Sequence, residues 1–168
     1  EKAVFSTGIS DPDHFKAQYI TGGTLFRKSF SLEEELPEKA VLYFTGLGYA
    51  ESYVNGEKVT DRVLFPSYTV YEKTVEYTAA DVTEQLKKGE NVLGLWVGGH
   101  WPLDEKLRAK DVYSEAFYRG RCVGFAELHL TFKEGKKVIL GTDDTWQTSM
   151  SPIEISSVFD GEQYDARR

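Results

Sequence analysis

The groups able to do chemistry in this 168-residue chain are three histidines, one cysteine and a surplus of carboxylates. His14, His100 and His129 are scattered, and no His-Glu-X-X-His, Gly-X-Ser-X-Gly or phosphate-loop motif joins them to a partner. Gly22-Gly23-Thr24 lacks the lysine that a phosphate-binding loop places beside its glycines. His129 falls inside an alternating run and reads as a partly exposed sheet residue rather than a catalytic one. Cys122 stands alone, which excludes an internal disulfide and a cysteine zinc cage. Glu33-Glu34-Glu35 reads as a solvated loop. Asp143-Asp144 offers oxygen ligands to calcium, but aspartate also closes turns by bonding its own backbone, and the turn is the favoured reading. No nucleophile, base and orienting group come together, so the chain by itself is not expected to be an enzyme.

Charge limits the partners. Twenty lysines and arginines against 27 acidic residues leave a net charge of −7, which disfavours nucleic acid and anionic membrane surfaces. No stretch approaches the roughly 20 apolar residues of a membrane-spanning helix. The first residues, Glu1-Lys2-Ala3-Val4-Phe5, carry no signal-peptide core, so a leader is expected to be absent or already removed. There is no Asn-X-Ser/Thr acceptor, since Asn55 and Asn91 precede Gly-Glu and Val-Leu. The compartment is not legible.

The elements that must position any site are strands. Aromatic residues make up 14% of the chain, and they suit a pleated, half-buried surface. Phe26, Lys28, Phe30 and Leu32 share one face of Thr24–Leu32. Lys39–Leu47 is apolar on both faces and reads as a central strand. Tyr49–Val54 runs into Asn55-Gly56, whose positive φ angles predict a type I′ hairpin turn returning through Lys58–Leu64. Further strands are expected at Thr74–Thr78, Asn91–Val97, Phe125–Phe132, Val138–Leu140, Trp146–Ser149 and Glu154–Phe159. The only helical candidate is Asp81–Lys88, of a turn or two, capped by Asp81 or Thr83 and stopped by Gly89. Trp101–Arg121 is a long charged excursion between strands. Nine or so strands with almost no helix predict a single all-β domain over residues 1–168, an antiparallel β-sandwich or jelly roll.

Five stretches in the same order resemble the N-terminal accessory domain of bacterial α-L-rhamnosidases. Gly46-Leu47-Gly48-Tyr49-Ala50-Glu51-Ser52-Tyr53-Val54-Asn55-Gly56 is similar to that family's G-x-Y-E-x-Y-I-N-G stretch. Asp61, with Leu64-Phe65-Pro66-Ser67-Tyr68-Thr69, resembles its D-x-x-L-x-P-x-W-T segment. Tyr77-Thr78, Asp81-Val82-Thr83 and Leu86 to Gly94 resemble a Y-D-V-T segment followed by G-x-N-x-I-G. Asp144-Thr145-Trp146 is similar to its D-x-S/T-W stretch. Phe159-Asp160-Gly161-Glu162-Gln163-Tyr164-Asp165-Ala166-Arg167 is similar to Y-x-G-E-x-Y-D-A-R. The resemblance covers about Thr24 to Arg167.

The resemblance implies a galactose-binding-like jelly roll that is one domain of a larger, inverting glycoside hydrolase. In such an enzyme a separate (α/α)₆ barrel carries the paired catalytic carboxylates, and this chain is a non-catalytic support for it. The implied alternative is a calcium-dependent carbohydrate-binding module recognising terminal L-rhamnose. Its tentative sugar site would centre on the Gly98–Pro102 loop, with His100 and Trp101, joined by Asn55, Asp61 and Tyr68; calcium is the one cofactor implied. The implied partners are the catalytic domain of the same polypeptide and L-rhamnose-containing glycans. Departures bear on that site. Gly99 stands where the family has Asn, Pro102 where it has Tyr, Phe65 where it often has Asp, Tyr68 for Trp and Val70 for Asp. Each loss removes a group that would hold a hydroxyl or a cation. The tail, Gln163–Arg167, is expected to be ordered only if it pairs with a strand of the sandwich.

Overall fold

A computed structural model describes residues 8–9, 11–98, 121–157 and 161–168. The strands are β1 (Leu25–Leu32), β2 (Lys39–Gly46), β3 (Tyr49–Val54), β4 (Glu57–Lys58), β5 (Thr78–Asp81), β6 (Gly89–Gly98), β7 (Gly124–Thr131), β8 (Lys137–Gly141), β9 (Gln147–Ser149), β10 (Ile153–Ser157) and β11 (Gly161–Tyr164). One antiparallel sheet has the order β4-β3-β6-β1-β9, a second has β5-β2-β7-β8, and β10-β11 forms a separate ribbon. The all-β sandwich expected from the aromatic content and alternation is the fold observed.

Alternation decides which side chains meet between the two sheets. In β2 and β7, Ala40 pairs with Leu130, Leu42 with Leu128 and Phe44 with Ala126, all turned inward and buried. In the other sheet, Phe26 pairs with Leu95, while Val54 pairs with Leu93 and Ala50 with Val97. Together these residues make one apolar core, and its burial is the main stabilising term. Trp146 closes one end, donating its indole N–H to the Gly141 carbonyl at 3.0 Å.

The Asn55-Gly56 turn forms as expected, with φ of 52° and 88°. Its return strand is much shorter than Lys58–Leu64. Glu57 and Lys58 pair with Val54 and Tyr53, the Val59 N–H reaches the Ser52 carbonyl at 3.0 Å, and further on Val63 and Leu64, the latter with a φ of 54°, stand in solvent. The strand expected at Thr74–Thr78 instead starts at Thr78, placing Ala80 beside Leu42 over the core. The helical candidate reduces to a 3₁₀ turn, Thr83–Gln85. Its N-cap is Val82, with no side-chain cap bond, rather than the expected Asp81 or Thr83; Asp81, one residue earlier, accepts from the Thr83 N–H at 3.0 Å and hydroxyl at 2.6 Å, and this holds its carboxyl below the ordinary range. The tail pairs through β11 with β10 rather than with either main sheet. The Asp165 N–H extends that ribbon to the Pro152 carbonyl at 2.8 Å.

Candidate functional site

The sequence-predicted sugar site is not assembled by the described residues. His100 and Trp101, with the rest of the excursion up to residue 120, lie outside them. Asn55 sits in the hairpin turn, and its amide is engaged by the fold. Nδ2 donates to the Gln85 carbonyl at 2.8 Å and to Asn91 Oδ1 at 2.9 Å, while Oδ1 accepts from the Val92 N–H at 3.0 Å. Asn91, fully buried, completes this network through the Lys87 N–H and carbonyl and the Gly89 carbonyl. In the pairing of β3 with β6, Tyr49 lies opposite Gly98 while Val54 lies opposite Leu93. Asn55 therefore stands at the far end of β3 from the Gly98 end, roughly 20 Å away at 3.3 Å per residue. Asp61 is exposed in the loop after β4. Tyr68 is 46% exposed and meets Tyr71 edge to face at 5.7 Å.

A second cluster lies at the β3–β4 edge. Glu51 accepts from the Tyr53 hydroxyl at 2.7 Å and pairs with the Lys58 ammonium at 2.5 Å. Burial pushes the Glu51 carboxyl up, but the Lys58 and Tyr53 hydrogen bonds and the Lys58 charge outweigh it and hold it below its ordinary value. Burial, followed by the hydrogen bond to Glu51 and repulsion from it, pushes the Tyr53 hydroxyl up to about 12. Arg62 lies over the Phe65 ring at 5.0 Å. Between these groups and the core is a shallow cleft lined by Thr60, Arg62, Phe65 and Thr78, without room for a water-sized guest. Chemically it is a packed joint between loop and sheet rather than a pocket.

The third cluster was not anticipated. Glu127, Tyr43 and His129 project from the outer face of β2 and β7. Glu127 is nonetheless completely buried, because residues 11–20 lie across that face. Its Oε2 accepts the Lys16 and Ala17 N–H groups at 2.5 and 2.6 Å, and its Oε1 meets His129 Nε2 at 2.5 Å. Phe15 enters a box of Tyr43, Tyr77 and Phe125, with centroids 5.8, 5.5 and 5.3 Å away, all edge to face. The expected half-exposure of His129 is what the structure shows. What alternation alone could not show is that the carboxylate two residues before it is covered. No local sequence signal marks it, because the segment that covers it lies about 110 residues earlier in the chain.

Asp143 closes a turn: Oδ1 accepts the Thr145 N–H at 2.9 Å and also the Thr145 hydroxyl. The Thr145 hydroxyl bond is the main reason its carboxyl sits below the ordinary range. Among the described residues, no three His, Cys, Asp or Glu side chains are grouped as metal ligands. None of the three clusters pairs a nucleophile with an activating base.

Comparison with known proteins supplies the context. The sequence profile described as the alpha-L-rhamnosidase N-terminal domain matches residues 35–168. The chain belongs to that family. An alpha-L-rhamnosidase of Formosa agariphila is 35% identical over 162 residues, covering 92% of this chain but 16% of that protein. The alpha-L-rhamnosidase structure from Dictyoglumus thermophilum superposes with a TM-score of 0.80 at 27% identity, over 96% of this chain and 19% of that one. The Streptomyces avermitilis alpha-L-rhamnosidase, solved in complex with L-rhamnose, gives 0.74 at 29% identity, over 88% of this chain and 14% of that one.

The stretches that resemble this N-terminal domain family hold the framework together. Asn55 and Asn91 lock the hairpin to β6. Gly46 lets β2 pass the core, since a Cβ there would lie 3.1 Å from Ala50 and from Val97. Trp146 caps the sandwich, and Asp165 holds Arg167 through a 2.8 Å pair.

Proposed function

We propose that this chain is the non-catalytic accessory domain of an α-L-rhamnosidase that acts on L-rhamnose-containing glycans. The observation that carries this reading is the match over residues 35–168 combined with the chain's span of only 16% of a relative's length. The catalytic acid and base then lie elsewhere in the protein, and the sandwich supports the domain that bears them. The packed joint at Glu51 and the framework roles of the family stretches support an architectural part. The L-rhamnose bound in the Streptomyces avermitilis structure supports the substrate class.

The test compares this chain with the protein that contains it. Residues 1–168 alone should not hydrolyse an aryl α-L-rhamnoside, while the containing protein should. Removing residues 1–168 from that protein should lower its thermal midpoint. Turnover by the isolated chain, abolished by substituting one of its own carboxylates, would overturn the reading. Titration calorimetry with L-rhamnose, with calcium and then with chelator, separates the architectural role from a sugar-binding one. Saturable, chelator-sensitive heat would assign the domain a lectin-like task at the Gly98–Pro102 loop.

A further inference from the structure

The last two strands stand apart from the sandwich. Among the described residues, β10 and β11 pair with each other and with neither main sheet. All four residues of β11 are exposed. A two-stranded ribbon is marginally stable in water unless its apolar side chains find something to pack against. Here three large ones stand in solvent: Met150, Ile155 and Tyr164, which are 55%, 51% and 64% exposed. Single exposed apolar residues are ordinary on a protein surface, but the pairing puts these three along one short ribbon. Tyr164 stands opposite Ile153, two residues from Ile155, and the Asp165 N–H reaches the carbonyl of Pro152, two residues from Met150, at 2.8 Å. The end of the chain is fastened to the same ribbon. The Arg168 guanidinium pairs with Glu154, the neighbour of Ile155, at 2.9 Å. The Arg168 N–H donates to the Asp165 carbonyl at 3.2 Å, and the Asp165 carboxylate accepts from Arg167 Nε and Nη2, each at 2.8 Å. Arg168 is therefore set down beside the exposed apolar side chains.

We propose that the β10–β11 ribbon is the docking face for the polypeptide that follows Arg168, which covers Met150, Ile155 and Tyr164 with apolar side chains of its own. This rests on the reading that the chain is one domain of a longer α-L-rhamnosidase. Two observations choose that occupant. The matching profile is that of an N-terminal domain and runs to residue 168, while the chain spans only 16% of the relative's length. In such a protein most of the polypeptide lies outside this domain. The Arg168–Glu154 pair then starts the following segment next to the ribbon, and so short a tether makes the contact intramolecular, at high effective concentration. Met150 and Ile155 offer no donor or acceptor to a sugar hydroxyl, which favours a protein surface over a glycan. The ribbon is thus loose when the chain stands alone and fixed when the next domain is seated on it, and its fixed position sets the angle between the two.

The experiment compares amide hydrogen exchange in the 168-residue chain and in the protein that contains it. Alone, the ribbon amides of residues 153–156 and 162–165 should exchange quickly while the Leu42 and Leu128 amides stay protected. In the containing protein the ribbon should slow on the order of a hundredfold, because large apolar side chains leave water there. Ile155→Asp combined with Tyr164→Ser should return the ribbon to its rate in the isolated chain, and trypsin should then cut after Arg167 on the order of tenfold faster. The same two substitutions should leave the thermal midpoint of the isolated chain where it was, since both side chains are exposed in it. A ribbon that exchanges equally fast in both proteins would overturn the proposal. Slow exchange in the isolated chain would overturn it too; where that protection sets in only at high concentration, with a doubled mass in sedimentation, the occupant is a second copy. Activity separates the docking from the reading beneath it. A containing protein that hydrolyses the aryl rhamnoside with an unprotected ribbon refutes the docking alone. One with a protected ribbon and no hydrolysis keeps the docking and refutes the assigned activity.

Discussion

The two outer faces of this sandwich use the same ingredients to opposite effect. At the β3–β4 edge a carboxylate, Glu51, meets a tyrosine and a lysine. On the β2–β7 face a carboxylate, Glu127, meets an imidazole beside a tyrosine. Glu51 is about one-third exposed and bonds side chains only, whereas Glu127 has lost all contact with water and bonds main-chain N–H groups of a remote segment. An exposed pair is dispensable because water replaces either partner at little cost. A buried carboxylate is not, because each donor it satisfies is stranded when it goes. The contrast lies in the covering chain and not in the residue types, and it is what makes one face a joint and the other the seat of residues 11–20.

The largest test of that contrast is Glu127→Ala. Stranding or freeing two N–H groups and His129 should lower unfolding stability by about 2–4 kcal/mol, read from urea midpoints at neutral pH. A loss below about 1 kcal/mol would put the buried and exposed carboxylates in one class. Phe15→Ala comes next. It removes three edge-to-face contacts and a half-buried ring, for an expected loss of about 1–3 kcal/mol. That loss should be non-additive with Glu127→Ala, because both act by freeing the same segment, residues 11–20, from the sheet. Strict additivity in the double variant would mean that the Phe15 contacts and the Glu127 bonds are independent.

The contrast also marks where the sequence is readable. Alternation placed β1, β2, β3, β6 and β7 closely, and Asn55-Gly56 placed the hairpin, because these signals are local and each inward residue is apolar. The short β4 and the shifted β5 were not readable. Val63 and Leu64 look like strand residues, yet a left-handed Leu64 carries them into solvent, and Ala79-Ala80 enter a sheet on pairing with β2 rather than on propensity. The burial of Glu127 was least legible. Glu, His and Thr alternating along β7 spell a wet face, and the segment that dries it lies about 110 residues earlier in the chain. For the predicted sugar site, Asn55 was legible as a hairpin-turn residue, while the hydrogen bonds that tie that turn to Gln85, Asn91 and Val92 were not. Only the strand pairing shows that it stands at the other end of β3 from Gly98.

The smallest expected effect sharpens the comparison from its exposed side. Glu51→Gln should change stability by less than about 1 kcal/mol, yet it should move Tyr53 measurably. The Tyr53 hydroxyl is raised from 10.0 to about 12, first by burial and then by its hydrogen bond to Glu51 and the repulsion of that charge. Glutamine abolishes the repulsion and weakens the bond but leaves the burial, so the phenol should titrate lower than in the parent and still above 10.0. Because the folded value is raised, Tyr53 stabilises the fold below its ordinary value, and that stability is lost as pH rises through about 12. Glu51 works in the other direction. Its lowered value gives stability that is present above the ordinary carboxylate range and lost as pH falls through the folded value. The variant should therefore flatten both the acid and the alkaline limbs of the stability profile while leaving the neutral plateau in place. An unchanged phenolate titration would mean that burial alone sets Tyr53, and that the exposed cluster has no electrostatic coupling to set against the buried one.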